Sequence, residues 1–228
     1  MADKMSEETL SQISPHAMRA RYLKLFSGAI NDVLRFHYKG LATSLPSDYT
    51  PLLPNEKMVG RAFTIKGAPD ITTEGEFEMR AEMLESLHED SVVVWDCSGD
   101  TVTAQWGEVM TMAAIRNQCR GAIVHGIRDT RSIVDQGFQV FHKYRTSTGM
   151  LGRFRMFHYQ KPILMGEVTV HPGDWIFGDI DGVIAIPEKI AMNVLIAAEK
   201  ILHKEVEIKD MVNNGLRPTE VVRRGGYF

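Results

Sequence analysis

The sequence has no long hydrophobic run. No apolar stretch approaches the roughly 20 residues that a membrane-spanning helix needs. The polar first residues, MADKMSEETLSQ, also lack the basic end and the apolar centre of a signal peptide. We therefore expect a soluble, cytoplasmic protein that has no membrane partner.

Strong charge of one sign is absent, and so are familiar metal-binding patterns. The 26 basic and 29 acidic residues are spread along the chain without a basic stripe, so we expect no nucleic-acid partner. Cys97 and Cys119 do not form a CxxC pair and have no His or Cys neighbours at ligand spacing, so we expect reduced, half-buried thiols. The eight histidines include no HxH or HExxH arrangement, which argues against a histidine-rich metal site.

What the sequence does contain is enough apolar material for one large domain. Of its 228 residues, 44% are hydrophobic, and neither an internal repeat nor a low-complexity linker divides the chain. We predict a single α/β domain over residues 1–228, in which mixed sheets are flanked by terminal helices. Residues 1–40 are predicted to form N-terminal helices, 59–187 the α/β core, and 188–228 a C-terminal helix and a tail that packs on a neighbour.

The middle of the chain has the pattern of a β-loop-α-β unit. SVVVWD and RGAIVHG are short apolar runs typical of buried strands, and WGEVMTMAAIRNQ between them has helical spacing. We expect the two strands to be parallel neighbours. Further along, the turns HPGDW and DIDG are predicted to close tight hairpins. A long helix is predicted from Glu188 to Asn214, where NNG ends it with a left-handed cap.

The dipeptide Arg128-Asp129 directly follows the second of these strands. Adjacent residues on a strand point to opposite faces, so we expect no salt bridge between the two and a separate partner for each. Open α/β sheets commonly bind ligands at this edge, outside the carboxyl ends of parallel strands. Gly107 lies at the predicted start of a helix, where free backbone N–H groups and the helix dipole favour an anion. Arg128 suits a carboxylate or an enolate oxygen, and Asp129 suits a Mg²⁺ or Mn²⁺ ion that keeps several waters.

A plainer interpretation of the same residues is structural. An Arg-Asp dipeptide at a strand end is often a capping aspartate beside a surface arginine, and Gly107 alone is compatible with a turn. Asp96, Asp100 and Glu108 are expected to be solvated, on helix faces or as loop caps. The local pattern alone favours this structural interpretation. The longer pattern described next favours the ligand-binding interpretation instead.

Two segments, AQWGEVMTMAAIRNQCRGAIVHGIRDTRSI and VTVHPGDWIFGDIDGVIAIP, resemble the RraA-like family. This family includes the 4-hydroxy-4-methyl-2-oxoglutarate / 4-carboxy-4-hydroxy-2-oxoadipate aldolases. Its enzyme motif is a glycine, twenty residues, Arg-Asp, two residues and an acid. Here Gly107 is followed by the twenty residues 108–127 and then by Arg128 and Asp129. The match therefore extends to the spacing as well as to the residue types.

The resemblance implies a role for each motif residue. It implies that the substrate's carboxylate is held by backbone N–H groups of one segment: Trp106, Gly107, Glu108 and Val109. Arg128 is implied to contact the 2-oxo acid as a catalytic residue, and Asp129 to reach the metal. The motif's last position departs from the family, since Ser132 stands where an acid is expected, and an outer carboxylate is a substantial part of such a metal site. Asp135, one helical turn further on, is a candidate replacement if the segment is helical.

The resemblance also implies an architecture and an assembly. The family fold is a β/β/α sandwich related to swivelling phosphohistidine domains, assembled as a homotrimer or homohexamer with sites at subunit boundaries. Some members were once named dimethylmenaquinone methyltransferases. This chain has no glycine-rich strand-turn-helix loop that would hold S-adenosylmethionine, so we discount that activity.

On this basis we expect a divalent-metal-dependent lyase, a class II aldolase. Its substrate would be a 4-hydroxy-2-oxo acid cleaved to pyruvate or a related 2-oxo acid, with oxaloacetate decarboxylation as a side activity. The sequence identifies no general base, and acids lent by a neighbouring subunit are candidates.

Two alternatives stay open at this point. One is a non-catalytic regulatory binder of an RNA-degrading endonuclease, a role compatible with the lost acid at position 132. The other is a related enzyme acting on a bulkier or sugar-derived acid, with the basic and aromatic segment YRTSTGMLGRFRMFHYQ lining its pocket. The plainer interpretation of that segment, which we prefer, is a pair of edge strands joined by a glycine-containing turn.

Overall fold

A computed structural model describes residues 13–227, so the first twelve residues of the predicted N-terminal helical region lie outside the described residues. The described helices are α1 (Pro15–Tyr22), α2 (Ser27–His37), α3 (Glu76–Glu85), α4 (Glu108–Arg116), α5 (Thr130–Asp135), α6 (Glu188–Asn213) and α7 (Pro218–Arg223). The described strands are β1 (Thr50–Pro51), β2 (Met58–Pro69), β3 (Ser91–Asp96), β4 (Gly121–Ile127), β5 (Val140–Arg145), β6 (Phe154–Tyr159), β7 (Ile163–Met165), β8 (Val168–Val170), β9 (Trp175–Asp179) and β10 (Gly182–Ile186).

Eight of these strands form one mixed sheet, in the order β1-β5-β4-β3-β2-β9-β10, with β6 also paired to β2. Strands β2, β3, β4 and β5 run parallel, so their carboxyl ends lie at one edge. The predicted parallel pairing of β3 with β4 is confirmed, with Val93 opposite Ala122. Both strands are buried along their whole length, as expected for parallel strands that are covered on both faces.

Three layers result, and they confirm the predicted β/β/α arrangement with terminal helices. One face of the sheet packs against α3, α4 and α5, through Met83, Ala114 and Ile133 among others. The opposite face packs against the β7-β8 hairpin, through side chains such as Met165 and Val168. Helices α1, α2 and α6 form a third core with β9 and β10. The helical layer covers the sheet beside the carboxyl edge, where the candidate site lies.

The long helix and the tail follow the prediction closely. Helix α6 ends at Asn213, and Gly215 follows with a φ of +82°, which is the predicted left-handed cap. The tail forms α7, whose Val221 is fully buried and packs with Ile208 of α6 around Gly226. The neighbour that the tail was expected to pack on is therefore a helix of the same chain.

Two hairpin predictions are wrong, because pairing depends on distant strands. DIDG does join the antiparallel strands β9 and β10, but HPGDW joins β8 to β9, which pair with different neighbours. Strands β5 and β6 were expected to pair across a glycine-containing turn. Instead β5 pairs with β1 and β4, and β6 pairs with β2. The segment between β5 and β6 thus crosses the carboxyl edge of the sheet.

Both cysteines are more buried than predicted. Cys97 and Cys119 are free thiols that lie in the core beneath the helical layer. Burial raises the pKa of both thiols, that of Cys119 to about 11, so both are protonated at neutral pH. None of the helices among residues 13–227 is long and apolar enough to cross a membrane.

Candidate active site at the carboxyl edge of the sheet

The twenty-residue spacing between Gly107 and Arg128 has a simple structural cause. The intervening residues form α4 and β4, and the chain before α4 lies alongside the end of β4. Trp106 forms a parallel bridge with Ile127, and the N–H of Arg128 donates to the carbonyl of Trp106 at 3.0 Å. One helix and one strand thus return the chain to its starting point, which places Gly107 beside the Arg128-Asp129 dipeptide.

The dipeptide does not have the extended geometry that the sequence analysis assumed. Strand β4 ends at Ile127, and Asp129 has a φ of +54° and a ψ of +32°, in the left-handed region. Aspartate tolerates this region better than most residues. The turn brings the Arg128 Nε atom within 3.5 Å of Asp129 Oδ2, so the expectation that the two would not pair is wrong. Both side chains are about half exposed, at 49% and 43%.

Two glycines allow this dipeptide to lie against the backbone. A Cβ atom at Gly107 would lie 2.7 Å from Asp129 Oδ2, and a Cβ atom at Gly149 would lie 2.8 Å from Arg128 Nη1. Both distances are shorter than a carbon atom tolerates, so a larger residue at either position would displace the charged group. Gly107 is extended, with a φ of −156°, so its requirement is space and not backbone conformation.

All the predicted site residues line one cavity of about 500 Å³. This volume falls within the range of small-molecule sites. Helix α3, the loop before α4, the dipeptide and the segment between β5 and β6 each form part of the wall. The lining residues are Phe77, Arg80, Ala81, Leu84, Ala104, Gln105, Trp106, Gly107, Glu108, Val109, Met110, Arg128, Asp129, Gly149, Met150 and Leu151.

The four residues predicted to hold a carboxylate do not offer equivalent N–H groups. The N–H of Trp106 donates to the carbonyl of Gly126, and its indole ring is buried and stacks on Phe138. The N–H of Glu108 donates to Asp129 Oδ2 over a long 3.4 Å. The N–H groups of Gly107 and Val109 have no partner among residues 13–227. Of these four residues, two therefore offer open donors at the start of α4, where the helix dipole favours an anion.

Asp100 holds the loop between β3 and α4. It was predicted to be solvated, but it is buried. Its carboxylate accepts hydrogen bonds from the N–H of Val102, from Thr103, from Gln105 Nε2 and from the Tyr144 hydroxyl. Burial acts to raise the pKa of this carboxyl group, but the hydrogen bonds outweigh it, and the pKa lies below its ordinary value. Asp100 thereby positions the loop that carries Gln105 and Trp106 into the cavity wall.

Two further carboxylates, those of Asp96 and Asp135, do not have the roles that were predicted from the sequence. Asp96 was expected to be solvated but is buried, and its Oδ2 lies 2.5 Å from Lys66 Nζ. Asp135, the candidate replacement for the missing acid, is on α5 as proposed, yet it does not line the cavity. Its carboxylate accepts two hydrogen bonds from Arg131 Nε instead, at 3.0 and 3.1 Å.

No metal-ligand cluster surrounds Asp129 among the described residues. Residues 13–227 contain no group of three or more His, Cys, Asp or Glu side chains placed to hold a metal ion. Asp129 itself keeps one free oxygen, because Oδ2 takes the contacts from Arg128 and Glu108 while Oδ1 accepts no hydrogen bond from the described residues. The geometry offers a half-exposed carboxylate with one oxygen free of hydrogen bonds to the described residues, beside a helix start whose dipole favours an anion.

Sequence reasoning missed the walls that come from elsewhere in the chain. Helix α3 was given no role in the sequence analysis, yet Phe77 and Arg80 line the cavity. The segment between β5 and β6 contributes Gly149 and Leu151, in line with the pocket interpretation that was ranked second. The basic and aromatic composition of that segment was the one available signal.

Comparison with known sequences shows the family. The profile described as RraA-like, Aldolase/RraA, matches residues 27–185, well over half of the chain. Protein DlpA of Legionella pneumophila is 32% identical over 171 residues, which cover 72% of this chain but only 27% of DlpA. A candidate 4-hydroxy-4-methyl-2-oxoglutarate aldolase of Halalkalibacterium halodurans is 33% identical over 162 residues, which cover 69% of this chain and 73% of that protein.

Solved structures share the fold. A crystal structure described as one of "novel cellulases from microbes associated with the gut ecosystem" is 41% identical, with a TM-score of 0.83 over 91% of this chain and 90% of that chain. Streptomyces coelicolor RraAS2, described as an unusual member of the RNase ES inhibitor RraA protein family, is 23% identical, with a TM-score of 0.72 over 83% and 93% of the two chains. The second likeness is one of fold alone. This chain belongs to the RraA-like family.

Proposed function

We propose that this protein is a divalent-metal-dependent carbon–carbon lyase that cleaves a 4-hydroxy-2-oxo acid to pyruvate or a related 2-oxo acid. One observation carries the proposal. The open N–H groups of Gly107 and Val109, the Arg128 guanidinium and the free oxygen of Asp129 all border the same cavity. Membership of a family that includes candidate aldolases supports the same reaction class.

The chain's own residues would bind the 2-oxo acid end of the substrate. The N–H groups of Gly107 and Val109 at the start of α4 donate to its carboxylate, assisted by the helix dipole. The planar, permanently charged guanidinium of Arg128 then donates to the keto oxygen. The cavity walls from α3 and from the segment between β5 and β6 would line the space around the reacting carbons.

Cleavage breaks the bond between C3 and C4 of the substrate. The 4-hydroxyl group loses its proton to a base and becomes the carbonyl group of the released aldehyde or ketone. The electron pair of the broken bond forms the enolate of pyruvate, which takes up a proton at C3. Arg128 stabilises the negative charge that develops on the C2 oxygen, and such stabilisation is usually the largest contribution to catalysis in sites of this kind.

A divalent cation fits these residues if several of its ligands are water molecules. Mg²⁺ and Mn²⁺ commonly bind through one or two protein carboxylates together with substrate oxygens and waters. Asp129 would hold the ion through its free oxygen, and Ser132 leaves the site without the family's outer acid. The bound ion would supply a positive charge that favours the enolate.

The first test is pyruvate release from a panel of 4-hydroxy-2-oxo acids and from oxaloacetate, with Mg²⁺ or Mn²⁺. We expect metal-dependent turnover that is lost in Asp129→Asn, a change that keeps the preference for the left-handed backbone and removes the charged ligand. Asp135→Asn is the matched control, because Asp135 is also exposed and ion-paired but lies outside the cavity. Absence of pyruvate from every acid, or full activity of Asp129→Asn, would refute the lyase.

The lost acid at position 132 favours one further candidate, a non-catalytic regulator that binds an RNA-degrading endonuclease. This function needs the fold and its surface but no complete metal shell. A stable complex with such an endonuclease, formed by a protein without lyase activity and without measurable Mg²⁺ or Mn²⁺ affinity, would establish it. A related activity on a sugar-derived acid is covered by including such acids in the substrate panel.

We also propose that the protein is a homotrimer or homohexamer. Helix α4 exposes Val109, Met112 and Ile115 at successive turns, and Val134 of α5 is exposed as well. An apolar helix face beside a cavity commonly marks a protein interface. Sedimentation of the wild type and of Met112→Glu tests this assembly. We expect a trimer or larger for the wild type and a smaller species for the variant, whereas a wild-type monomer would refute it.

A further inference from the structure

A second and larger cavity lies among the terminal helices. It is a groove of about 1070 Å³ between α2 and α6, and Tyr227 of the tail also lines it. The candidate active-site cavity has about 500 Å³ and shares no lining residue with this groove. Helix α6 lies beyond residues 27–185, the part of the chain that the family profile matches. The proposed lyase activity therefore gives the groove no function.

One wall of the groove continues an apolar stripe of α6. Seven positions follow one another at alternate intervals of three and four residues: Ala191, Val194, Ala198, Ile201, Glu205, Ile208 and Val212. All except Glu205 are apolar, which is the heptad pattern of a helix that packs against other helices along its length. The first three are fully buried in the core of the terminal helices, whereas Val212, at the other end, is 44% exposed. Helix α6 thus carries its packing face beyond the part of the core that covers it.

The groove is open and elongated. Phe36 of α2 is 60% exposed and Tyr227 is 38% exposed, so large apolar side chains on its other walls also face water. From Lys200 to Asn213 the groove runs roughly 20 Å along α6, at about 1.5 Å per residue. Sites for small molecules usually enclose most of the ligand, whereas an open apolar groove beside a helix suits an amphipathic helix laid along it.

The charges that line the groove are mainly positive. Four basic and two acidic residues line it: Arg35, Lys200, Lys204, Lys209, Asp32 and Glu205. Both acids are already paired, Asp32 with Arg35 at 3.3 Å and Glu205 with Lys209 at 3.2 Å. Lys200 and Lys204 have no carboxylate within ion-pair distance among residues 13–227. The groove therefore has an excess of two positive charges in a protein whose net charge is −3.

These charges argue against a second copy of the chain as the occupant. A two-fold symmetric contact would bring the groove against the same groove, and like charges across an interface are unfavourable. Lys204 and Lys209 also flank the apolar stripe on its two sides, at the positions where charged residues select the partner in coiled coils. Two parallel α6 helices would bring lysine against lysine at these positions. An acidic helix is the complementary occupant.

We propose that the groove between α2 and α6 is a docking site for an acidic amphipathic helix of another protein. The apolar side chains of that helix, at heptad spacing, cover Ile201, Ile208 and Val212, and its carboxylates pair with Lys200 and Lys204. Burial of the apolar stripe supplies the affinity, and the flanking charges set the choice of partner. The proposal does not depend on lyase activity, because the groove and the candidate active site share no residue.

The test measures the binding of two labelled helical peptides by fluorescence anisotropy. Both peptides have leucine at the a and d heptad positions, and the e and g positions are glutamate in the first peptide and lysine in the second. At low salt the full-length protein should bind the glutamate peptide roughly 10-fold more tightly than the lysine peptide, and added salt should reduce this preference. A peptide with the composition of the glutamate peptide in scrambled order should not bind, because it has no continuous apolar face.

Charge reversal provides the sharpest comparison. Lys200→Glu/Lys204→Glu should reverse the preference, so that the lysine peptide binds more tightly. Lys24→Glu/Lys189→Glu is the matched control, because it changes the net charge equally at two exposed lysines that do not line the groove, and it should keep the wild-type preference.

A second pair of variants tests the apolar stripe. Val212→Gln should weaken binding of the glutamate peptide several-fold, since it replaces an apolar contact of the groove. Val222→Gln is the matched control, because Val222 is 54% exposed on α7 and does not line the groove. All these substitutions are at surface positions, and thermal unfolding of each variant checks that it folds.

Four results would overturn the proposal. The first is equal affinity of the wild type for the two peptides, and the second is a preference that charge reversal at Lys200 and Lys204 leaves unchanged. The third is a smaller assembly of Val212→Gln than of the wild type in sedimentation, which would make the groove an interface between copies of this chain. The fourth is binding of laurate that is tighter than that of the glutamate peptide and depends on the two lysines, which would assign the groove to a long-chain acid.

Discussion

Asp100 and Asp129 lie at the ends of neighbouring strands and have opposite environments. Asp100, after β3, is 6% exposed and accepts hydrogen bonds from four other residues, at distances of 2.6 to 3.3 Å. Asp129, after β4, has a side chain that is 43% exposed, and its nearest donors lie at 3.4 and 3.5 Å. One carboxylate is saturated by the protein, whereas the other keeps an oxygen free.

The difference separates a structural acid from a candidate ligand-binding acid. A buried carboxylate remains charged only when hydrogen bonds replace its water, so the bonds to Asp100 hold the loop that shapes the cavity. Asp129 lies at the mouth of the same cavity without such bonds, and its left-handed backbone turns it toward Gly107. We expect Asp100 to matter for stability and Asp129 for ligand binding, and the following predictions test that division.

The largest effect on stability is expected for Asp100→Ala. Removing this carboxylate leaves several buried donors without an acceptor, and we expect the free energy of unfolding to fall by roughly 3 kcal/mol. Urea unfolding of the wild type, of this variant and of Asp135→Ala measures the loss. Asp135 is exposed and paired only with Arg131, so its removal should change stability by less than about 1 kcal/mol. Equal losses in the two variants would show that Asp100 has no special structural role.

A smaller effect on the free energy of unfolding is expected when the pH is lowered. The pKa of Asp100 is lower in the folded protein than in the unfolded chain, so its contribution to stability is present above the unfolded pKa, about 4. That contribution is lost as the pH falls through the folded value. The difference in unfolding free energy between the wild type and Asp100→Asn should therefore be constant near neutral pH and shrink below about pH 4. A difference that does not change with pH down to unfolding would contradict a charged, hydrogen-bonded Asp100.

The smallest effect on stability is expected for Asp129→Asn. Half-exposed ion pairs contribute little, so the free energy of unfolding should change by less than about 1 kcal/mol. Its affinity for Mg²⁺ or Mn²⁺, measured by titration calorimetry, should nevertheless be lost. A variant that unfolds as easily as Asp100→Ala, or one that binds the metal as well as the wild type, would remove the distinction between the two acids.

Much of the site was predictable from the sequence. The apolar runs before Asp96 and Arg128 indicate buried strands, and the helical spacing between them indicates a crossover that makes the strands parallel. Parallel strands end at the same edge, which is why Gly107, Arg128 and Asp129 were expected together. These predictions depend on local residue patterns, which a single sequence contains, and on general rules for how helices connect parallel strands.

Other features depended on partners that are distant in the chain. The burial of Asp100 was not predicted from the sequence. One of its four hydrogen-bond partners, Tyr144, comes from the distant strand β5. The sequence also suggested that Arg128 and Asp129 point apart, because nothing local signals that β4 ends at Ile127 and that Asp129 is left-handed. Likewise, β5 and β6 were expected to pair with each other, although each finds its neighbours elsewhere in the sheet.

The sequence by itself determined the parallel edge and the residues that meet there, because periodicity and spacing follow from backbone geometry, whereas the layer order was implied by the resemblance to the RraA-like family. Tertiary structure decided which charged groups are satisfied by the protein and which remain free. Asp100 is buried and bonded, Asp129 is open, and Arg80 lines a cavity whose other walls come from residues 104–110, 128–129 and 149–151. Hydrogen bonding and burial of a charge depend on the groups that surround it in space, and only folding brings those groups together.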